Sequence, residues 1–413
     1  MKKIFLLTGL LITSFFLHSQ LLKKITDKAK EKVDKKTEKT VDDATNGKKD
    51  EKKTVESKDT TSTQTSTSSQ PASLKSFSKY DFVPGEKIIG FEDFSTGNIG
   101  DFPAGWNTNA AGEIVTIDGK PGRWLKLTKQ GGFSPEFTNK YPEDFTFEFD
   151  LLHSYEEGGN PQYLYVSIAD LQNINEPQHF GLGNNAFSII LLPGQKDEET
   201  GACESEIRQN GNTNGSNSVR TAQIGNKNYL VHISIWRQKE RVRVYMNEEK
   251  VWDVPKAITK DAKINSLVFF QKDIDEKFLY YLSNLRLAVG APDTRKKILE
   301  QNKWVTHGIL FDVNSDKIKP ESYGTLKEMA SVLKEYPDLK VKIVGHTDAD
   351  GKDVDNLDLS KRRAAAVKES LAKEFSIDAS RMETDGKGES EPIDKNDNPA
   401  GKANNRRVEF IKI

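Results

Sequence analysis

The chain has 413 residues, 61 of them basic and 62 acidic, for a formal net charge of −1. That length suggests two or three domains, and the near-neutral balance excludes a global field drawing the protein to nucleic acid or anionic lipid. A sole cysteine, Cys203, excludes an intrachain disulfide framework, so the folded parts must stand on their own apolar cores.

Residues 1–20, "MKKIFLLTGLLITSFFLHSQ", set two lysines before an apolar run from Ile4 to Phe16 and close on small and polar residues. This reads as a secretory signal peptide cleaved near Ser19 or Gln20, since the run is short for a membrane span of about 20 residues. No cysteine stands at the junction, so no lipoprotein-type anchor is expected. Residues 21–79 follow as a tether, first a lysine/acid alternation and then "TTSTQTSTSSQPAS", with too little apolar surface to fold.

From Tyr80 to about Gly290 aromatics, glycines and alternating apolar residues take over. Segments 145–152, 162–171, 187–192, 229–237, 241–247 and 279–289 read as strands, and "RVRVYMNEEKVWDV" as a hairpin. Many short strands without a helical stripe predict an all-β antiparallel sandwich over 80–290. Within it Glu148 and Asp150, alternating with Phe145, Phe147 and Phe149, read as a solvated outer face. Cys203, in the polar stretch "GACESEIRQNGNTNGSNS", reads as an incidental loop thiol. Trp106, Trp124, Trp236 and Trp252 can stack on sugars or pack in the core, with core packing preferred.

Residues 291–303 form a partly helical connector. From Trp304 to Ile413 strand and helix signals alternate: a strand in "VTHGILFDV", a helix in "PESYGTLKEMASVLKEYP", a strand in "LKVKIVGHTD", a helix in "SKRRAAAVKESLAKEF" and a closing strand in "RRVEFIKI". This predicts a small α+β domain of βαβαβ type over 304–413.

The chemistry concentrates in "GHTDADGKDVDNLDLSKRRAAAV". A calcium loop starting at Asp348 fails, because Gly351 falls at position 4 and Leu359 at position 12. His346 and Asp348 share a strand face but lack a third metal ligand at a recognisable spacing. Ser360 reads as an N-cap, which puts Lys361, Arg362 and Arg363 in a first turn where cations oppose the helix dipole, as if function required them. With the strand ending at Asp348 and the helix beginning at Ser360, Asp348 can hold an ammonium while Arg363 forks onto a carboxylate. Such a pair fits a zwitterion.

Gly345 to Asp348, Asn356, Leu359 with Ser360, Arg363 with Ala364, and Asn405 to Glu409 together resemble the OmpA-like peptidoglycan-binding domain, over about residues 304–413. The resemblance implies that Asp348 and Arg363 clamp the amino and carboxylate groups of diaminopimelate in a peptidoglycan stem peptide. It further implies a pocket lined by Thr347, Asn356, Phe311, Asp312 and Asn314 and closed by Arg406 or Arg407, with Arg407 the expected binding residue. "VHISIWRQKERVRVYMNEEKVWDVP" with the later "FLYYLSNLRLAV" resembles the concanavalin-like or laminin-G-like jelly-roll superfamily, over about residues 86–290. That likeness implies a domain that contacts glycan or protein. The expectation is a periplasmic, outer-membrane-associated binding protein without a cofactor and without catalysis. Alternatives are a wall-anchored glycan hydrolase with its active site in the sandwich, or a sandwich acting only as a spacer.

Overall fold

The computed structural model describes residues 80–175, 185–195, 197–227, 229–290 and 294–413. The expected signal peptide and tether, 1–79, and the start of the connector, 291–293, lie outside the described residues.

Alternation of side chains along extended backbone organises the first part of the chain. Its strands are β1 (Lys87–Glu92), β2 (Trp106–Thr108), β3 (Gly112–Ile117), β4 (Lys120–Leu127), β5 (Gly131–Pro135), β6 (Asp144–Tyr155), β7 (Leu164–Ala169) and β8 (Ala186–Leu192). There follow β9 (Gly201–Gln209), β10 (Asn212–Thr221), β11 (Leu230–Gln238), β12 (Arg241–Met246), β13 (Glu249–Val254), β14 (Ser266–Gln271) and β15 (Phe278–Val289). One sheet runs β13-β12-β11-β6-β15-β4-β3, with β1 also on β15, and the other runs β10-β9-β8-β7-β14-β5-β2. Phe147, Phe149 and Leu151 of β6 meet Phe187, Ile189 and Phe269 of the other sheet in one core, so the two sheets form an antiparallel sandwich.

The expected strands and the hairpin β12–β13 are present. The polar stretch around Cys203 is a second hairpin, not a loop. β9 and β10 are joined by Asn210 and Gly211, both with positive φ, the pairing that a two-residue Asn-Gly turn favours. Cys203 sits inside the core with its thiol pushed up to about 12 by burial. Trp106 and Trp124 are buried as well, and Trp252 donates from Nε1 to the Cys203 sulfur at 3.2 Å.

The solvated outer face expected for Glu148 and Asp150 is corrected too: they are 2% and 8% exposed. Alternation does put them on the face away from the phenylalanines, but that face is covered by the C-terminal part of the chain. Arg286 of β15 donates from Nε and Nη2 to one Glu148 oxygen, at 3.0 and 2.6 Å, and from Nη1 to the main-chain oxygen of His307 at 2.6 Å. His232 of β11 contacts Asp150 at 2.7 Å and Glu148 at 3.4 Å. Burial works against the charge on His232, but the two carboxylates outweigh it and push its pKa up to about 10.

The C-terminal part comprises α1 (Thr294–Glu300), β16 (Lys303–Thr306), α2 (Tyr323–Glu335), β17 (Val341–His346), α3 (Asp353–Phe375), β18 (Met382–Gly388), α4 (Pro399–Asn405) and β19 (Val408–Lys412). Its sheet runs β16-β19-β17-β18, with β17 and β18 parallel and the other pairs antiparallel. Trp304 stacks on Phe410, and Leu326, Met329, Leu333, Val367 and Leu371 from the helices close the core. The domain therefore carries a strand, β18, and a helix, α4, beyond the expected βαβαβ order. The expected first strand, 305–313, stops at Thr306, and a loop bridged between Phe311 and Ile318 takes its place.

The largest correction concerns α3, which begins at Asp353 and not at Ser360. Asp353 and Asp355 occupy its first turn, where negative charge suits the helix dipole. Arg363 lies in the helix interior, so helix electrostatics say nothing about its purpose. Ser360 docks the helix on the sheet instead of capping it: its Oγ accepts from the Gly388 N–H at 2.9 Å, and a Cβ on Gly345 would stand 2.3 Å from its main-chain oxygen.

Candidate functional site

Asp348 follows the end of β17, and its neighbours are set by the sequence on either side. Thr347 donates its main-chain N–H to Gly388 at 2.9 Å, continuing the line of β17 alongside β18. Asn356, in the first turns of α3, donates from Nδ2 to the main-chain oxygens of Asp348 and Asp350 at 3.3 and 3.1 Å, and to Glu389. The amide thus ties the Asp-rich loop to the helix. Arg363 follows Asn356 by seven positions, two helical turns, so both residues share one face of α3.

Arg363 is held on two sides. Its guanidinium lies 4.8 Å over the ring of Phe311, and its Nε donates to the main-chain oxygen of Ser315 at 3.0 Å. The loop carrying both turns at Asp312 to Ser315, with Asn314 at φ 53°, a left-handed conformation that asparagine tolerates. Asp312 stands 3.4 Å from Lys317 and shapes this turn. Burial, and then the charge of Arg406, pull the Arg363 pKa down to about 10, with Asp348 acting against them. Arg363 stays charged at neutral pH. Its two terminal nitrogens have no hydrogen-bond partner among the described residues.

Arg406, not Arg407, faces this group. Its Nη1 donates to Asp348, and its guanidinium lies 5.1 Å over the ring of Phe91 in β1. Arg407 is turned inward: 4% exposed, it pairs with Glu409 at 2.8 Å and donates to the main-chain oxygen of Glu391 at 3.0 Å. Burial raises the Glu409 pKa, but His346, Lys303 and Arg407 together overcome it and hold it at about 2.

The structure thus gathers Thr347, Asp348, Asn356, Phe311 and Arg363, uses Asp312 and Asn314 to form the loop under Arg363, and leaves Arg407 outside. Two functional candidates gain weight from the fold alone. Phe91 lies far off in the sequence and carries no local signal. The Thr347 hydroxyl is buried without a hydrogen-bond partner among the described residues, a group whose desolvation is offset only when a ligand or water meets it. Chemically the cluster offers one carboxylate and two guanidinium groups in a half-buried setting, which suits a ligand bearing an ammonium and a carboxylate close together.

Residues 310–406, within the C-terminal part of this chain, match the OmpA family. Over 101 residues the chain is 41% identical to outer membrane porin F of Pseudomonas aeruginosa, covering 24% of this chain and 29% of that protein. Over 104 residues it is 43% identical to the probable lipoprotein YiaD of Escherichia coli, covering 25% of this chain and 47% of that one. The chain therefore spans less than half the length of either relative. A solved structure of the peptidoglycan-associated lipoprotein from Burkholderia pseudomallei is similar at 27% identity, over 28% of this chain and 92% of that one, with a TM-score of 0.25.

Proposed function

We propose that this protein binds peptidoglycan non-covalently at the outer-membrane side of the periplasm, through the zwitterionic end of diaminopimelate in the stem peptide. The observation that carries the reading is the cluster of Asp348, Arg406 and Arg363: a carboxylate in contact with one guanidinium, beside a second guanidinium fixed by Phe311 and Ser315 with its outer nitrogens unclaimed. Asp348 receives the ligand ammonium, Arg363 forks onto its carboxylate, and Thr347 supplies a buried hydroxyl to either. The relatives named as an outer-membrane porin and a lipoprotein support a place in the cell envelope.

In this reading residues 1–20 export the chain, residues 21–79 tether it, and the sandwich, similar to concanavalin-like jelly rolls, holds a glycan or an outer-membrane protein within reach of the wall. Pull-down on purified diaminopimelate-type peptidoglycan tests the clamp. Asp348→Ala and Arg363→Ala should each abolish the binding that the parent shows. Binding unchanged in both variants would sink the proposal.

A further inference from the structure

The OmpA-family segment matches from residue 310 to 406, yet one member of the candidate site is supported from outside that range. Arg406 is bracketed by the carboxylate of Asp348 and the ring of Phe91, and Phe91 belongs to β1, at the rim of the sandwich. A guanidinium over an aromatic face is attracted by the ring's negative quadrupole while its edge stays free to donate hydrogen bonds in the ring plane. The ring therefore fixes the plane of the Arg406 fork without using its donors.

β1 itself is locked to α4, the helix that ends just before Arg406. Asn404, two residues earlier, accepts from the Ile88 N–H and donates to the Ile88 oxygen, both at 2.9 Å, so its side chain imitates a neighbouring strand. The main-chain oxygen of Asn404 in turn accepts from Nε2 of His307 at 2.8 Å; burial holds that imidazole down at about 4, so it is neutral and this nitrogen carries the proton. Ile88, Ala288 and Ala403 close an apolar seam along the same line, with Phe91 packed against it. The Asn404–Ile88 hydrogen bonds and this seam thus set α4 against the sandwich within three residues of Arg406, and His307 pins the same turn from within the C-terminal part.

We infer that the clamp is a composite of two domains, in which Phe91 of the sandwich is a positioning residue that holds Arg406 ready to share Asp348 with an incoming ammonium. Arg406 cannot swing away from the site when the ligand displaces one of its hydrogen bonds, because the ring retains it. Its charge then remains beside the ligand carboxylate, together with Arg363. This inference rests on the peptidoglycan reading for the identity of the ligand but not for the arrangement of the arginine.

The experiment uses the full chain and a diaminopimelate-containing stem peptide as probe, titrated against the parent, Phe91→Leu and Phe91→Tyr. Loss of the ring in Phe91→Leu should weaken the probe threefold to tenfold, while Phe91→Tyr, which keeps the aromatic face, stays within twofold of the parent. Phe91→Leu binding as tightly as the parent would overturn the inference. Should that variant not fold, Phe91→Met removes the ring with similar bulk and takes its place. A second readout needs no ligand: in protein labelled with ¹⁵N-arginine, the Arg406 Nε–H signal should be displaced by the ring current of Phe91 and return to the ordinary arginine position in Phe91→Leu. If the parent does not take the probe, the peptidoglycan reading fails by itself, and the inference is decided by this signal. An undisplaced Arg406 signal in the parent overturns it.

Discussion

Arg286 donates twice, from Nε and Nη2, to a single carboxylate oxygen of Glu148, in the layer where the sandwich meets the C-terminal domain. The third arm of the same guanidinium reaches the main-chain oxygen of His307. Removing one member of such a pair strands the other charge away from water. Arg286→Ala is therefore expected to lower stability by roughly 3–5 kcal/mol, measured by urea unfolding at neutral pH. An effect below about 1 kcal/mol would mean that the joint is wetter than the structure shows.

Two buried histidines should give stability a maximum near pH 6.5. His232, pushed up to about 10, binds a proton in the folded state that the unfolded chain releases above about 6.5, so its contribution is complete below that pH and is lost as pH rises toward 10. His307, held down at about 4, stays neutral in the fold where the unfolded chain takes a proton, so stability also falls as pH drops from about 6.5 toward 4. Each limb has a slope of about 1.4 kcal/mol per pH unit. His232→Asn should flatten the alkaline limb and spare the acid one, as read by denaturant midpoints across pH. A parallel change in both limbs would contradict this assignment.

The neighbouring arginines at 406 and 407 should separate binding from stability. Arg407→Ala leaves Glu409 with Lys303 and His346 as its remaining partners and should cost roughly 1.5–3 kcal/mol of stability. Arg406→Ala removes a half-exposed side chain and should shift the unfolding free energy by less than about 1 kcal/mol while weakening peptidoglycan binding. Thermal melting with pull-down on both variants distinguishes them. The reverse pattern would return Arg407 to the site.

Gly345 leaves no room for a side chain. An added Cβ would stand 2.3 Å from the Ser360 oxygen, in the backbone of α3, so Gly345→Ala must push helix and sheet apart. A loss of about 1–3 kcal/mol is expected, with the larger end if the helix cannot shift. Calorimetric melting checks it, and an unchanged melting temperature would show that α3 docks more loosely.

Cys203 should be inert in the folded protein. Its thiol is enclosed by the sandwich core with its pKa pushed up to about 12, so almost no thiolate exists at pH 8. A disulfide-exchange reagent should react fully only after denaturant is added. Prompt labelling of native protein would place β9 outside the core.

Much of this architecture was legible because it is written in periodicity. The strand from Phe145 onward and its partners declare themselves by alternation, and α2 by Leu326, Met329 and Leu333 on one stripe. β10 did not, because its residues are Asn, Ser, Thr and Gly on both faces, although the Asn210-Gly211 turn was a usable signal. Ser360 resembles an N-cap in sequence, yet Asp353 and Asp355, whose acidity suits a first turn, mark the true start of α3. Alternation along β6 separates Glu148 from Phe149 but cannot say which face will be covered from outside. Nor can adjacency in sequence decide between Arg406 and Arg407, since consecutive side chains at a strand entry point to opposite sides.

Asp348 follows β17 and Arg406 precedes β19, and these two are the inner strands of the C-terminal sheet, each hydrogen-bonded to a neighbour on both sides. A tug on whatever the clamp grips therefore enters the sheet at its middle. Edge strands can be peeled off one hydrogen bond at a time, whereas a central strand must break two ladders together. Load applied at Asp348 and Arg406 would therefore meet the most resistant elements of that sheet.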